Sequence, residues 1–474
     1  MGTHKFRLTD IIYKGDRLNC IRSITCDRKS DSQSSLIYNQ AQVSIFDMTP
    51  KPFSNLNRRK FIGLSTLFLL GACGAQTTQP TASGKSKIVF WTMQLKPQFD
   101  KYMTDLIAGF VKENPMAEVE WVDIPWGEME TKILSSVAAK TAPDVVNLNP
   151  QFASKLAEKK ALVDMSKAIS DADKASYFPN IWKANQLDNV TFGLPWYVAT
   201  DITIYNRSLF EKAGLDPAKP PKTFEELAKI SEQIKAKTGK YAFMLTMDGG
   251  QVLEAMVQMG MKLLDANGKA AFNDAAGKAA FDYWVNLFEK QLIPREILTE
   301  GHRKAVELYQ AGELAILLTG PQFLQTVAQN APETAKVTDI GAQITGSTGK
   351  KSAAVMNVAV PTTSTNQTLA VKFALYLTNA ENQLAFTKVE NLLPSTIKSS
   401  SDRYFTEVAK DASILDRARL ISASQLPQSE VLIPPAKDIE KLRKIIYEEL
   451  QLAMLKEKTS DKAIASAAER WNSL

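Results

Sequence analysis

Cysteine and histidine are scarce in this chain of 474 residues, which contains three cysteines and two histidines. His4 lies near the start, so His302 is the one histidine in the last four hundred residues, and a histidine-rich metal site is excluded. A Ser-His-Asp triad would depend on His302 alone. The sequence also lacks a P-loop and a Gly-rich dinucleotide motif. Among enzymes, a glycosidase that uses only carboxylates stays open as an alternative.

A basic cluster, a short apolar run and a cysteine follow one another between residues 57 and 73. This order is typical of a secretory signal. The apolar run, residues 61–70, has about half of the roughly 20 residues that a transmembrane helix needs. Leu70-Gly71-Ala72-Cys73 resembles the bacterial lipobox, in which the cysteine is lipidated and becomes the first mature residue. The sequence therefore predicts an exported protein with a lipid anchor at Cys73; an ordinary buried helix is the alternative.

A signal peptide begins within a few residues of the start of translation, yet residues 1–47 are polar, Ser-rich and without pattern. We interpret residues 1–47 as a non-native extension, with translation starting at Met48 and residues 48–72 forming the signal peptide. Arg58-Arg59 also resembles the twin-arginine export signal. Because plain Sec signals often carry the same pair, the export route stays open.

The basic excess of the chain lies in its leader. Residues 1–72 hold 11 Lys+Arg and 5 Asp+Glu, which leaves 46 residues of each sign in residues 73–474. A neutral mature chain gives no electrostatic reason to expect nucleic acid or an anionic membrane surface as a partner. Cys73 is its only cysteine, so intrachain disulfides and cysteine metal clusters are excluded. A mature length of about 400 residues predicts two domains.

Strand and helix patterns alternate after a polar tether at residues 73–86. Residues 87–93, 118–124 and 143–148 are apolar enough for buried strands, with helical spacing between them. This alternation predicts an α/β domain with a largely parallel sheet. In such sheets ligands bind beyond the carboxyl ends of the strands. We therefore expect residues 93–96 and 147–151 near a cleft.

Four segments carry a resemblance to a known family: residues 87–92, Pro143-Asp144-Val145-Val146, residues 193–227 and residues 309–321. The third, which includes Gly193-Leu194-Pro195-Trp196-Tyr197 and Pro221-Lys222-Thr223-Phe224-Glu225-Glu226, is the most specific. In their order and spacing, residues 86–474 resemble the maltose-binding-protein-like solute-binding proteins of ABC importers.

The resemblance implies a type II periplasmic-binding-protein fold, in which two α/β lobes joined by crossover hinge segments hold a solute in the cleft between them. By analogy, lobe one comprises residues 86–199 plus 357–397 and lobe two residues 200–356 plus 398–474. It further implies a monomer that is not an enzyme, without cofactor, metal or nucleic acid. Its partners would be a mono- or oligosaccharide and the permease subunits of an ABC transporter, in the periplasm or at the outer face of the cytoplasmic membrane.

A polyol site needs flat apolar rings and a few placed polar groups. Trp196 and Tyr197, at the first crossover, are candidates for stacking, with an interlobe core as the alternative. Trp126 follows a strand and is a further candidate. The polar candidates stand at predicted strand ends: Gln94, Asn149, Gln151 and Asp201.

Gly320 and Pro321 begin a predicted helix, whose first N–H groups suit a hydroxyl or an anion. Simple turn chemistry is the alternative. Gln322 and Phe323 follow where the family often has an aromatic residue that stacks on a sugar, so either Phe323 takes that role or the stack is lost. Because of this departure from the family pattern, a polyamine, a phosphate ester or a metal chelate stays open as an alternative solute.

Overall fold

The computed structural model describes residues 84–389 and 392–474. The signal segment and the proposed anchor at Cys73 lie outside these residues. In chain order, the strands of the described part are β1 (Ser86–Met93), β2 (Ala117–Ile124), β3 (Val145–Leu148), β4 (Gln186–Leu187), β5 (Val190–Thr191), β6 (Leu194–Thr200), β7 (Ile202–Asn206), β8 (Ile316–Thr319), β9 (Thr338–Gly341), β10 (Lys351–Ala359), β11 (Leu393–Pro394) and β12 (Ser429–Glu430).

The α-helices of the same residues are α1 (Asp100–Glu113), α2 (Trp126–Ala138), α3 (Pro150–Glu158), α4 (Met165–Ala168), α5 (Asp171–Ala175), α6 (Pro179–Lys183), α7 (Arg207–Lys212), α8 (Phe224–Thr238), α9 (Gln251–Gln258), α10 (Ala275–Glu289), α11 (His302–Gln310), α12 (Phe323–Asn330), α13 (Pro332–Lys336), α14 (Gln367–Thr378), α15 (Ala380–Val389), α16 (Ile397–Ser400), α17 (Arg403–Thr406), α18 (Ile414–Gln425), α19 (Ile439–Met454) and α20 (Ser460–Asn472). Within the described ranges, every helix is too short or too polar to cross a membrane.

Lobe one is built on a sheet with the strand order β11-β6-β10-β3-β1-β2, and β12 pairs with the start of β10. β1 runs parallel to β2 and β3, whereas β10 is antiparallel to both β3 and β6. Helices cover the sheet, and the rings of Phe90 and Phe110 each meet Phe373 edge-on at 5.4 and 4.8 Å between centroids. β3 is buried along its whole length, whereas β2, at the edge of the sheet, has exposed side chains at Glu118 and Glu120.

Lobe two contains a smaller antiparallel sheet with the order β8-β7-β9. Its largest core surrounds the fully buried side chains of Phe243, Phe281 and Trp284, which pack with α19 and α20. A second core cluster includes Ile204 and Tyr309. The two lobes thus have separate hydrophobic cores, as independent α/β units require.

Buried side-chain amides connect segments that lie where the predicted lobes meet. The first is Asp201, the single residue between β6 and β7. The backbone carbonyl of Asp201 accepts a 3.2 Å hydrogen bond from Nε2 of Gln425. Oε1 of the same Gln425 side chain accepts the backbone N–H of Gln343 at 2.7 Å. The Gln343 side chain in turn accepts the N–H of Ser352, on β10, at 2.7 Å. These bonds fix the crossing segments where the lobes meet.

The two-lobed α/β architecture expected from the sequence is confirmed, and local details differ. Thr223 caps α8 by accepting the N–H of Glu226 at 3.1 Å, but the Glu226 carboxylate accepts the N–H of Lys222 rather than that of Thr223. β10 begins at Lys351, since Lys351 and Ser352 pair with β12. The lobe boundaries themselves stay a prediction.

Candidate binding cleft

A cavity of about 440 Å³ lies between the lobes. Lobe one contributes the starts of α2 and α3, and lobe two contributes the starts of α9, α11, α12 and α19. Its lining includes Trp126, Asn149, Gln151, Asp201, Gln251, Glu254, His302, Thr319, Gly320, Gln322, Phe323, Ser352, Pro434, Pro435, Glu440 and Arg443. Seven of the eleven candidates named from the sequence are brought together here: Trp126, Asn149, Gln151, Asp201, Gly320, Gln322 and Phe323.

Trp126 presents a large aromatic surface to this cleft. It is the first residue of α2, and 44% of its surface is exposed, which is unusual for so large an apolar residue. The backbone N–H of Trp126 donates to Oε1 of Gln94 at 3.3 Å. Gln94 itself adopts a left-handed backbone with φ of 51° and does not line the cavity. Gln94 therefore holds the start of α2, and Trp126 faces the solvent of the cleft.

Asn149 and Gln151 stand at the carboxyl end of β3, as the sheet rule predicts. The side-chain oxygen of Asn149 accepts the N–H of Phe152 at 2.8 Å and caps α3. That bond occupies part of the acceptor capacity of Oδ1 of Asn149 and fixes the orientation of the Asn149 side chain. The side chain of Gln151, which is exposed, is the more accessible polar group of the two.

Trp196 and Tyr197 do not line the cleft. Trp196 has no exposed surface, and its ring lies 4.6 Å from that of Phe386 and 6.3 Å from that of Phe90, measured between centroids. Tyr197 is 8% exposed and lies 5.1 Å from Phe386, and burial raises the pKa of its phenol. β6 has a partner strand on each edge, and all of its residues except Ala199 are buried. The structure therefore puts both rings in the core of lobe one, which is the alternative that the sequence left open.

Two half-buried carboxyl groups face the cleft, Asp201 on the first crossover and Glu254 on α9. Burial raises the pKa of Asp201 to about 6. Burial, together with the nearby charge of Asp201, raises the pKa of Glu254 to about 7. A hydrogen bond from Ser352 and the charge of Arg443 oppose the second shift. The cleft thus holds two strong hydrogen-bond acceptors whose charge is poorly solvated.

Arg443 and His302 complete the polar lining on lobe two. The Arg443 guanidinium forms an ion pair with Glu440, three residues earlier on α19. A ring nitrogen of His302, Nε2, lies 3.0 Å from the hydroxyl of Thr319. The imidazole also meets Phe323 edge-on, with 5.0 Å between centroids. His302 thereby fixes the ring of Phe323 beside the cavity.

At the start of α12, two N–H groups are already bonded within the turn. The N–H of Phe323 donates to the carbonyl of Gly320 at 3.2 Å, and that of Leu324 donates to the carbonyl of Pro321 at 3.0 Å. A binding role for this helix start stays a prediction. Pro321 is buried and lies outside the lining. A Cβ at Gly320 would meet the side-chain amide of Gln322, so glycine permits that close approach.

Sequence reasoning missed the contribution of α9 and α19. Gln251, Glu254 and Arg443 occupy helical positions whose orientation depends on how the helices pack, and the pattern of one helix does not reveal that orientation. Gly249-Gly250, both with positive φ just before α9, was a usable signal for a sharp turn at a site. His302 begins a helix as expected, but it is half-buried rather than exposed.

Metal-ligating side chains are not gathered in the structure: across residues 84–389 and 392–474, no group of three or more His, Cys, Asp and Glu side chains is placed to hold an ion. The cleft therefore consists of aromatic surfaces, amides and carboxyls. This composition suits a solute that is bound through hydroxyl groups and ring faces.

Known proteins share this architecture. A periplasmic-binding protein from Synechococcus sp. MITs9220, provisionally named for oligosaccharides and solved both alone and in complex with zinc, is 39% identical. The match covers 81% of this chain and 98% of that protein, with a TM-score of 0.74. The sugar-binding protein MalE of Xanthomonas citri is 23% identical over 82% of this chain and 97% of its own, with a TM-score of 0.69, and supports the fold.

The sn-glycerol-3-phosphate-binding periplasmic protein of Salmonella paratyphi A (strain ATCC 9150 / SARB42) is 24% identical over 442 residues, which is 88% of this chain and 97% of that protein. The family model for bacterial extracellular solute-binding proteins matches residues 96–384. With that match over more than half of its length, the chain belongs to the family of bacterial extracellular solute-binding proteins.

Proposed function

We propose that this protein is a lipid-anchored extracytoplasmic receptor that captures a sugar or related polyol and delivers it to the permease of an ABC importer. The observation that carries the proposal is the interlobe cavity with an aromatic residue on each side, Trp126 from lobe one and Phe323 from lobe two. Ring faces of this kind stack on the C–H surfaces of a sugar, and the amides and carboxyls between them pair with its hydroxyl groups.

The relatives are binding proteins, which supports a role without catalysis. An exported carbohydrate-processing enzyme is the alternative from a different class. It would need a pair of carboxylates that flank a glycosidic bond. Asp201 and Glu254 are such a pair by type, so a reducing-sugar assay with oligosaccharides belongs beside every binding measurement.

Solute binding should stabilise the folded protein by mass action, by about 2.7 kcal/mol when the free solute is at 100 times its dissociation constant. A thermal-unfolding panel of neutral sugars, polyols, polyamines and organophosphates tests this. We expect a rise in melting temperature with at least one sugar or polyol and no release of reducing ends. A panel in which no sugar or polyol raises the melting temperature contradicts the proposal, and steady release of reducing ends favours the enzyme.

A further inference from the structure

We infer that Asp201 and Glu254 are specificity-determining residues that exclude anionic solutes, so that the cleft takes an uncharged or amine-bearing polyol and not a phosphate ester. This inference rests on the proposed function and names the solute class of the same site. It predicts that this chain differs in solute class from its relative of Salmonella paratyphi A, which is named for binding sn-glycerol-3-phosphate.

The balance of charge in the cleft carries the argument. Its lining contains the carboxyl groups of Asp201, Glu254 and Glu440, the guanidinium of Arg443 and the imidazole of His302. Among the described residues of that lining, none is a lysine. The Arg443 guanidinium forms its ion pair with Glu440, and its charge also acts on Glu254. Carboxyl groups therefore outnumber the single guanidinium in this half-buried cavity.

A phosphate ester needs several strong donors, and part of the donor capacity of this cleft is already used. Phosphate sites use arginine, lysine or the free N–H groups of a helix start. At α12 the N–H groups of Phe323 and Leu324 donate to Gly320 and Pro321. The N–H of Phe152 at the start of α3 donates to Asn149. The helix starts around the cavity thus use these donors within their own turns.

The start of α9 follows the same pattern. The N–H of Val252 donates to the Thr246 carbonyl at 3.2 Å, and the N–H of Leu253 donates to the hydroxyl of Tyr447 at 3.0 Å. An anion in the cavity would therefore meet two carboxyls with few compensating donors. A hydroxyl donates to a carboxylate, and an ammonium group pairs with it, so both are accommodated.

The two carboxyls are placed to act on the same solute. Glu254 accepts the hydroxyl of Ser352 at 2.9 Å, which leaves its second oxygen for the cavity. The residues come from different parts of the chain, since Asp201 lies on the first crossover and Glu254 lies on α9 of lobe two. Each is therefore expected to weaken the binding of a phosphate by about tenfold or more, as like charges do in a poorly solvated site.

The test compares matched neutral, cationic and anionic probes: glucose, glucosamine, glucose 6-phosphate and glucuronate, and glycerol beside sn-glycerol-3-phosphate. Affinities for the full chain are measured by titration calorimetry, and the melting temperature reports folding. The variants are Asp201→Asn, Glu254→Gln and the double variant, which keep shape and hydrogen-bond acceptors. Asp282→Asn, an exposed position on α10 outside the cleft, is the matched control for the change in net charge.

We expect the wild type to bind a neutral or amine-bearing probe at least about tenfold more tightly than its anionic counterpart. In the double variant this ratio of affinities should be about tenfold smaller. In the Asp282→Asn control the ratio of affinities should equal that of the wild type. Equal or tighter binding of the phosphate by the wild type overturns the inference while leaving solute binding intact. An unchanged ratio in a folded double variant also overturns it. Absence of binding to every probe counts against the proposed function itself.

Discussion

The hydroxyl of Ser352 donates a 2.9 Å hydrogen bond to Oε2 of Glu254 and thereby joins a cleft carboxyl to the strand that crosses between the lobes. Ser352 immediately precedes Ala353, which pairs with Thr200 in the sheet of lobe one. Its N–H is held by Gln343 at 2.7 Å. We therefore expect a change at Glu254 on solute binding to reach β10 through this hydrogen bond.

Removing that hydroxyl should weaken both folding and solute binding. A hydrogen bond to a charged group contributes about 1.5–3 kcal/mol to stability, and without it the Glu254 carboxylate loses the partner that orients it in the cleft, so Ser352→Ala is expected to lower affinity by about tenfold. Ser424→Ala is the matched control, since its hydroxyl donates to the Ile421 carbonyl on an exposed face of α18. Titration calorimetry on both variants decides the matter. An affinity for Ser352→Ala within twofold of the wild type contradicts the link.

Trp126 and Trp196, both in lobe one, should behave in opposite ways. Trp126 is 44% exposed at the cleft, so Trp126→Ala should cost about 2 kcal/mol of binding, roughly thirtyfold in affinity, with a small change in stability. Trp196 is fully buried, so Trp196→Ala should lower the free energy of unfolding by about 3–5 kcal/mol. Urea unfolding without solute and titration calorimetry separate the two effects. If Trp196→Ala instead lowers the affinity and Trp126→Ala instead lowers the free energy of unfolding, Trp196 is the ring that binds the solute.

The fold was accessible from the sequence because β1, β2 and β3 are apolar strands between helices, and that alternation permits few architectures. The polar candidates at strand ends, Asn149 and Gln151, reached the cleft for the same reason. The sequence favoured Trp196 over Trp126 as the stacking ring, whereas the structure buries Trp196 and exposes Trp126. Both are aromatic residues near a strand end or crossover, and only the packing of Phe386 against β6 distinguishes the buried ring from the exposed one.

Stability should fall as the pH rises through the titration of the two cleft carboxyls. Asp201 and Glu254 have folded-state pKa values of about 6 and 7, above their ordinary values of 3.8 and 4.5. The folded state therefore binds these protons more tightly than the unfolded state, so the free energy of unfolding decreases between about pH 4 and pH 7 and then levels. The Asp201→Asn, Glu254→Gln double variant should lose this slope and be about 1–3 kcal/mol more stable than the wild type at pH 8.

Urea unfolding of both proteins at pH 4.5 and pH 8 without solute measures that difference. Glu440, Arg443 and His302 line the same cleft in both proteins. Asp282→Asn, which removes an exposed charge, should follow the wild type. Equal slopes in the wild type and the double variant would mean that the two carboxyls are solvated in the folded protein.

The anchor at Cys73, which lies outside the described residues, has its own test. Cys73→Ser should release the mature protein in soluble form, because the modified sulfur carries the lipid. A single acyl chain gives only marginal, reversible anchoring, so we expect more than one chain on the wild-type cysteine. Membrane fractionation with a carbonate wash and mass spectrometry of the mature N-terminus measure both points. Retention of Cys73→Ser in the washed membrane contradicts the lipobox interpretation.

The central claim is that a solute between Trp126 and Phe323 holds the two lobes together. A solute that contacts both lobes only in the closed form shifts the population toward that form. Small-angle X-ray scattering of the purified protein, alone and saturated with the sugar that gives the largest thermal shift, measures this most directly. We predict a smaller radius of gyration with the sugar than without it. An unchanged radius of gyration at saturation would contradict the claim that the solute closes the cleft.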